Sequence, residues 1–143
     1  HVAAAIGIYP PTVFSAGPRE RGAVPLLALT EEGDEEVARL AGPLSHISAD
    51  FPPTMLIHGT ADTTVPPLAS IRMYEELVRA GVPVELHMYA EQPHAFDATP
   101  AFGRQCAAEM LLFLDRYVPA RAPGEAPETA AEVIADVDAA PAT

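Results

Sequence analysis

Residues 52–66 read PPTMLIHGTADTTVP, an apolar run that stops at Gly59 and passes into a polar loop closed by proline. Residues 54–58 are too few for a helix and apolar without alternation, the pattern of a parallel strand buried on both faces. Pro66 and Pro67 suit the first turn of a following helix. Behind them Leu68, Ile71, Tyr74, Leu77 and Val78 recur at three- and four-residue spacing, Glu75 and Arg79 are placed for an i,i+4 pair, and Gly81 marks the stop. Val84–Tyr89 then alternates, with Val84, Leu86 and Met88 on one face and Glu85, His87 and Tyr89 on the other, as expected of a strand at a sheet edge.

The same grammar extends outward. Residues 2–9 (VAAAIGIY) form a short buried-strand run stopped by Pro10 and Pro11. From there to Pro53 the chain is punctuated by Gly and Pro, with one helical stretch near residues 34–40 that Asp34 could cap. Downstream, Thr99 and Pro100 resemble an N-cap and first helical residue, opening a helix to about Tyr117 whose one side carries Phe102, Cys106, Met110, Phe113, Leu114 and Tyr117. Residues 119–143 are rich in Ala, Pro and acidic side chains and poor in large apolar ones, so an acidic, disordered tail is expected there after a folded part spanning 1–118.

Strand, loop and helix in repetition predict an α/β fold with a parallel sheet covered by helices. Sheets of this class usually have roughly five or more strands, and the sequence offers three. The expectation is therefore the C-terminal part of a doubly wound, mostly parallel sheet with flanking helices, its N-terminal strands absent from this chain.

Composition excludes several functions. The 143 residues carry 20 acidic against 8 basic side chains, a net charge of −12, which argues against a nucleic-acid partner because phosphate contacts need clustered cations. No apolar run approaches the roughly 18 residues of a membrane span. Cys106 is the single cysteine, so neither an intrachain disulfide nor a zinc site of paired cysteines can form. The histidines His1, His46, His58, His87 and His94 show no metal-ligand spacing, and no metal or other cofactor is expected. The compartment stays open.

In doubly wound sheets the functional groups sit on loops at the C-terminal strand ends. Two such loops are present: residues 58–66 (HGTADTTVP) and residues 91–97 (EQPHAFD). An Asp on one and a His on the other can meet, the carboxylate fixing the imidazole tautomer and stabilising the imidazolium formed when His takes a proton from a nucleophile. The pair HGTADTTVP and QPHAFD resembles the C-terminal half of α/β-hydrolase serine esterases of the hormone-sensitive-lipase and feruloyl-esterase-like groups, over residues 1–118. The resemblance implies that Asp62 is the acid and His94 the base of a Ser-Asp-His triad acting on a small-molecule ester, without a cofactor. It also implies a nucleophile in a G-x-S-x-G turn, and none of Ser15, Ser45, Ser48 and Ser70 has that setting. The nucleophile and the upstream oxyanion loop are thus expected in a missing N-terminal half, with this chain inactive alone.

Each assignment has a plainer rival. Asp62 could serve only as a turn residue, and His94 as a surface histidine. His58 reads as a residue that orders the strand-end loop through its ring nitrogens, and Cys106 as a small core side chain. Tyr9, Val65 and Phe96 flank the strand ends as candidate acyl-pocket residues, and each would be equally natural as core. Two other functions fit the motifs, a prolyl-oligopeptidase-like serine peptidase and a noncatalytic α/β-hydrolase-like module.

Overall fold

A computed structural model describes residues 2–12, 14 and 35–118. The acidic tail, His1, Ser15 and the cap expected at Asp34 lie outside the described residues. The chain divides into two compact units, residues 1–96 and 97–143.

The first unit is built on three parallel strands in the order β1-β2-β3: β1 (Ala5–Ile8), β2 (Thr54–Gly59) and β3 (Val84–Tyr89). The register pairs Ala5 with Thr54 and Ile8 with Ile57 on one side of β2, and Thr54 with Val84 and Gly59 with Tyr89 on the other. All six residues of β2 are buried, which is why its sequence is a continuous apolar run: a strand hydrogen-bonded on both sides has no wet face to alternate with.

Between β1 and β2 lie α1 (Glu35–Ala41) and a 3₁₀ turn at Pro43–His46. Arg39 donates to Glu36 on α1 at 2.7 and 2.8 Å. Between β2 and β3 runs α2 (Leu68–Arg79), preceded directly by Pro67 and followed by Gly81 at φ 76°. That positive φ is the left-handed helix ending that glycine adopts at no steric cost.

The buried face of α2 differs from the stripe that spacing alone suggests. Ser70, Met73 and Leu77 are buried, whereas Leu68 and Val78, at the two ends of the expected stripe, are about half exposed. Leu56 of β2, Met73 and Leu77 of α2 and Val82 form one buried cluster of the core, with Leu44, Ile47, Phe51, Tyr74, Val84 and Leu86 among the residues packed against it. The direction of the sheet, not the count of apolar residues, decides which side of the helix is covered. Tyr89, expected on the face of Glu85 and His87, is buried, its ring centred 4.7 Å from that of Phe96. His87 is half-buried and lies 3.2 Å from the Glu85 carboxylate.

The second unit contains α3 (Pro100–Tyr117), with Pro100 in its first turn and Thr99 at the cap position. The Thr99 hydroxyl makes no capping bond; its carbonyl instead accepts from Gly103 N–H at 2.9 Å. Cys106 and Phe113 are the buried side chains of this helix. Among the described residues no helix is long and apolar enough to cross a membrane.

Candidate active site

β2 and β3 end side by side, and the loops that leave them are stitched together. Thr60 N–H donates to Tyr89 O at 2.9 Å, Ala61 N–H to Gln92 O at 3.0 Å, and Glu91 N–H to the Thr60 hydroxyl at 2.8 Å. Such close approach depends on Gly59, where a Cβ would stand 2.2 Å from Gln92 O. The glycine that reads in sequence as a strand terminator is therefore also the point of contact between the loops.

Within the first loop Asp62 closes a turn on itself. Its Oδ1 accepts from Thr64 N–H at 2.8 Å and Val65 N–H at 2.9 Å, the hydrogen-bonded Asx arrangement that short acidic side chains favour. Its Oδ2 faces the other loop, where His94 Nδ1 lies 2.7 Å from it. The Asp62 side chain is wholly buried while that of His94 is 32% exposed. Burial pushes the Asp62 carboxyl up, yet the hydrogen bonds from His94, Val65 and Thr64 and the charge of His94 outweigh it and hold the group below the usual aspartate value.

A carboxylate accepts and does not donate, so Nδ1 of His94 carries the proton of this bond, and in the neutral ring Nε2 presents a lone pair. Nε2 has no hydrogen-bond partner among the described residues. A partly exposed imidazole with one nitrogen fixed by a buried carboxylate can take a proton at the other, which is what a general base requires.

The three candidate pocket residues fall near this pair in different ways. Tyr9, just past β1, has φ 41°, and its N–H donates to Ile57 O at 2.7 Å. Its ring centre is 4.3 Å from that of His94 and 6.4 Å from that of Phe96. Val65 is half-buried and meets the site through its backbone, the N–H on Asp62 and the carbonyl on His58. Phe96 is buried against Tyr89.

His58, at the end of β2, is completely buried, with Nδ1 2.7 Å from the Ser70 hydroxyl and Nε2 3.0 Å from Val65 O. It ties the strand end to the loop, and Ser70 ties it to α2. Nothing in the local pattern around Ser70 marks it, since its partner lies on another element. Glu91 and Ala95 bracket His94 with φ of 62° and 59°, left-handed conformations that spacing does not reveal either. No group of three or more His, Cys, Asp and Glu side chains able to hold a metal ion occurs among the described residues.

Comparison with known proteins places the chain in a family. The model of the prolyl oligopeptidase family matches residues 27–120. Among solved structures, a thermophilic esterase from the Planctomycetes species Thermogutta terrifontis superposes with a TM-score of 0.64 at 28% identity, over 86% of this chain and 45% of that one. A truncated carbohydrate esterase from gut microbiota shares the fold with a TM-score of 0.63 at 22% identity, over 83% of this chain and 44% of that chain. The non-reducing polyketide synthase prhL of Penicillium brasilianum is 42% identical over 62 residues, which is 42% of this chain and 2% of the synthase. The chain thus spans less than half the length of each of these proteins, and its three parallel strands are part of an α/β-hydrolase sheet.

Proposed function

The chain belongs to the prolyl oligopeptidase family, and from that premise we propose that it supplies the acid, Asp62, and the base, His94, of a serine carboxylic ester hydrolase. The observation that carries the reading is the 2.7 Å bond between His94 Nδ1 and buried Asp62 Oδ2, with Nε2 left available for a nucleophile. The 143 residues contain no G-x-S-x-G turn, so the nucleophilic serine and the oxyanion donors are assigned to an N-terminal half that pairs with this one.

In the reaction, His94 Nε2 takes the hydroxyl proton as the serine oxygen attacks the ester carbonyl. Asp62 stabilises the resulting imidazolium, which then returns the proton to the departing alcohol. Water enters by the same route, giving up a proton to His94 as it attacks the acyl-enzyme; His94 returns that proton to the departing serine oxygen, and the free acid leaves. Tyr9 and Val65 would border the acyl group, with Phe96 backing the Tyr9 ring from the core.

The ester preference is supported by the likeness to the Thermogutta terrifontis esterase. A second reading, a prolyl-oligopeptidase-like serine peptidase, is favoured by the family match itself. The deciding experiment joins this chain to an upstream segment carrying G-x-S-x-G and an oxyanion loop. Hydrolysis of p-nitrophenyl acetate and butyrate is then measured beside a peptide amide. Ester turnover that needs both halves and disappears with His94→Ala is expected. Amide turnover of equal efficiency would favour the peptidase, and ester turnover by residues 1–143 alone would overturn the assignment of the nucleophile.

A further inference from the structure

Asp62 has a second histidine beside it, close but bonded elsewhere. Oδ1 accepts the two backbone N–H groups of its own loop, and Oδ2, besides His94 Nδ1 at 2.7 Å, faces His58 Nε2 at 3.3 Å. The His58 side chain has no solvent exposure, so its ring nitrogens can be satisfied only by what the fold puts beside them.

Those neighbours determine the tautomer. Nε2 faces the Val65 carbonyl at 3.0 Å and the Asp62 carboxylate at 3.3 Å, both of which can only accept. A bare lone pair there would oppose two acceptors, so Nε2 carries a proton. Nδ1 faces the Ser70 hydroxyl at 2.7 Å. That ring is the hydroxyl's hydrogen-bond contact among the described residues, and with Nε2 as the N–H side the hydroxyl donates to Nδ1.

We infer that His58 is a positioning residue: the acceptors at Nε2 hold its ring as the Nε2–H tautomer, Ser70 on α2 fixes the ring through Nδ1, and the N–H, bonded to the Val65 carbonyl, holds the Asp62 loop and lies 3.3 Å from Oδ2, where its positive end favours the carboxylate's direction toward His94. The role rests on the hydrolase reading only for its effect on turnover. Without the His58 ring the Val65 carbonyl loses its partner, so the loop segment whose N–H groups anchor Oδ1 loosens and the carboxylate can pivot. Oδ2 then loses its fixed direction toward His94. A buried polar network of this kind fixes geometry only when every member is satisfied, and no buried side-chain nitrogen or oxygen lacks a partner among the described residues.

The test labels the histidines with ¹⁵N, a set of five in this chain, with the His58 signals assigned by their loss in His58→Gln. The expected spectrum at neutral pH shows His58 protonated at Nε2 and bare at Nδ1. A ring protonated at Nδ1, alone or together with Nε2, overturns the inference. The second readout is the downfield proton of His94 Nδ1–H. It is expected to be sharp in the parent protein, retained in His58→Gln, whose amide N–H can replace the Nε2–H, and lost or broadened in His58→Leu. Should His58→Leu fail to fold, Ser70→Ala replaces it and is expected to keep the Nε2–H tautomer, loosen the ring at Nδ1 and broaden the His94 signal. In the two-half enzyme His58→Leu should lower kcat by about 10²-fold, the scale of a misplaced catalytic group, with KM little changed, and His58→Gln should restore most of the loss. An unaltered His94 signal and kcat in His58→Leu would overturn the positioning role and leave the hydrolase reading intact. Absence of ester turnover in every form would remove the hydrolase reading, while the ring-nitrogen spectra would still decide the state of His58.

Discussion

His94 Nδ1 lies 2.7 Å from Oδ2 of Asp62 across a chain separation of 32 residues, and the contact is arranged by backbone before either side chain is considered. Thr60 and Ala61 donate to the carbonyls of Tyr89 and Gln92, so the loop that carries Asp62 and the loop that carries His94 are bonded to each other immediately after Gly59. Parallel strands in register end level with one another, which is how a sheet turns two distant stretches of sequence into one site.

That arrangement makes Gly59 the most sensitive position of the loop pair. A methyl group there would meet Gln92 O at 2.2 Å, a contact that requires the two backbones to separate. Gly59→Ala is expected to lower stability by about 1–3 kcal/mol, the usual cost of overpacking, and to weaken the His94 Nδ1–H signal. Urea denaturation and proton NMR measure the two effects, and a stable variant with an unaltered His94 signal would count against the loop contact.

The triad pair should behave as a unit in the two-half enzyme. His94→Ala removes the proton acceptor, and Asp62→Asn allows the wrong imidazole tautomer. Each is expected to lower kcat by about 10³–10⁴-fold. Combining them should add little, because residues of one relay are not additive. Steady-state hydrolysis of p-nitrophenyl butyrate reads this directly; an Asp62→Asn enzyme with near-parent kcat would reduce Asp62 to a turn residue.

Acid should act through Asp62. Burial alone would raise its carboxyl, but the bonds from His94, Val65 and Thr64 bring it below the ordinary value. A carboxyl depressed in the folded state adds stability that is complete above its unfolded value of about 3.9, and that stability is lost as pH falls through the folded value. The difference in urea midpoint between the parent protein and Asp62→Asn is therefore expected to be flat near neutrality and to close in acid below that value. A difference that widens in acid would reverse the assigned sign.

The core offers a comparison free of the site. Leu77 is fully buried on α2 and belongs to the cluster with Leu56, Met73 and Val82. Leu77→Ala is expected to cost about 2–5 kcal/mol, while Val78→Ala, at a position 52% exposed, should stay within about 0.5 kcal/mol. Equal losses at the two neighbours would mean that the helix presents another face.

These two residues also mark where the sequence is legible. The strands, the helix between β2 and β3, its stop at Gly81 and the pairing of an Asp loop with a His loop are each written in a few adjacent residues, because burial and turn chemistry act locally. The covered face of α2 is not, since Leu68 and Val78 satisfy the helical period as well as Met73 does and only the sheet selects among them. Ser70 against His58, Gly59 against Gln92 and the left-handed backbone of Tyr9 depend on elements meeting in space, and no spacing within one segment encodes them.

Tyr9 gives the last prediction. It is an aromatic residue at φ 41°, a conformation that costs roughly 1–3 kcal/mol when a side chain is present. It persists because the N–H is bonded to Ile57 O at 2.7 Å and the ring rests against His94 at 4.3 Å. Tyr9→Ala and Tyr9→Gly both remove the ring, so both should broaden the His94 Nδ1–H signal, and they differ in backbone strain alone. At an ordinary strand position glycine is the less stable of the two by about 0.5–1 kcal/mol. Here the order should reverse, because glycine occupies positive φ without a Cβ clash while alanine keeps the strain and loses the contact that opposed it. Tyr9→Phe, which keeps the ring, should preserve the His94 signal. The comparison is read from urea midpoints and the downfield proton spectrum of the three variants. If Tyr9→Gly proves less stable than Tyr9→Ala, the backbone at Tyr9 is relaxed, and its ring is held beside His94 by packing alone.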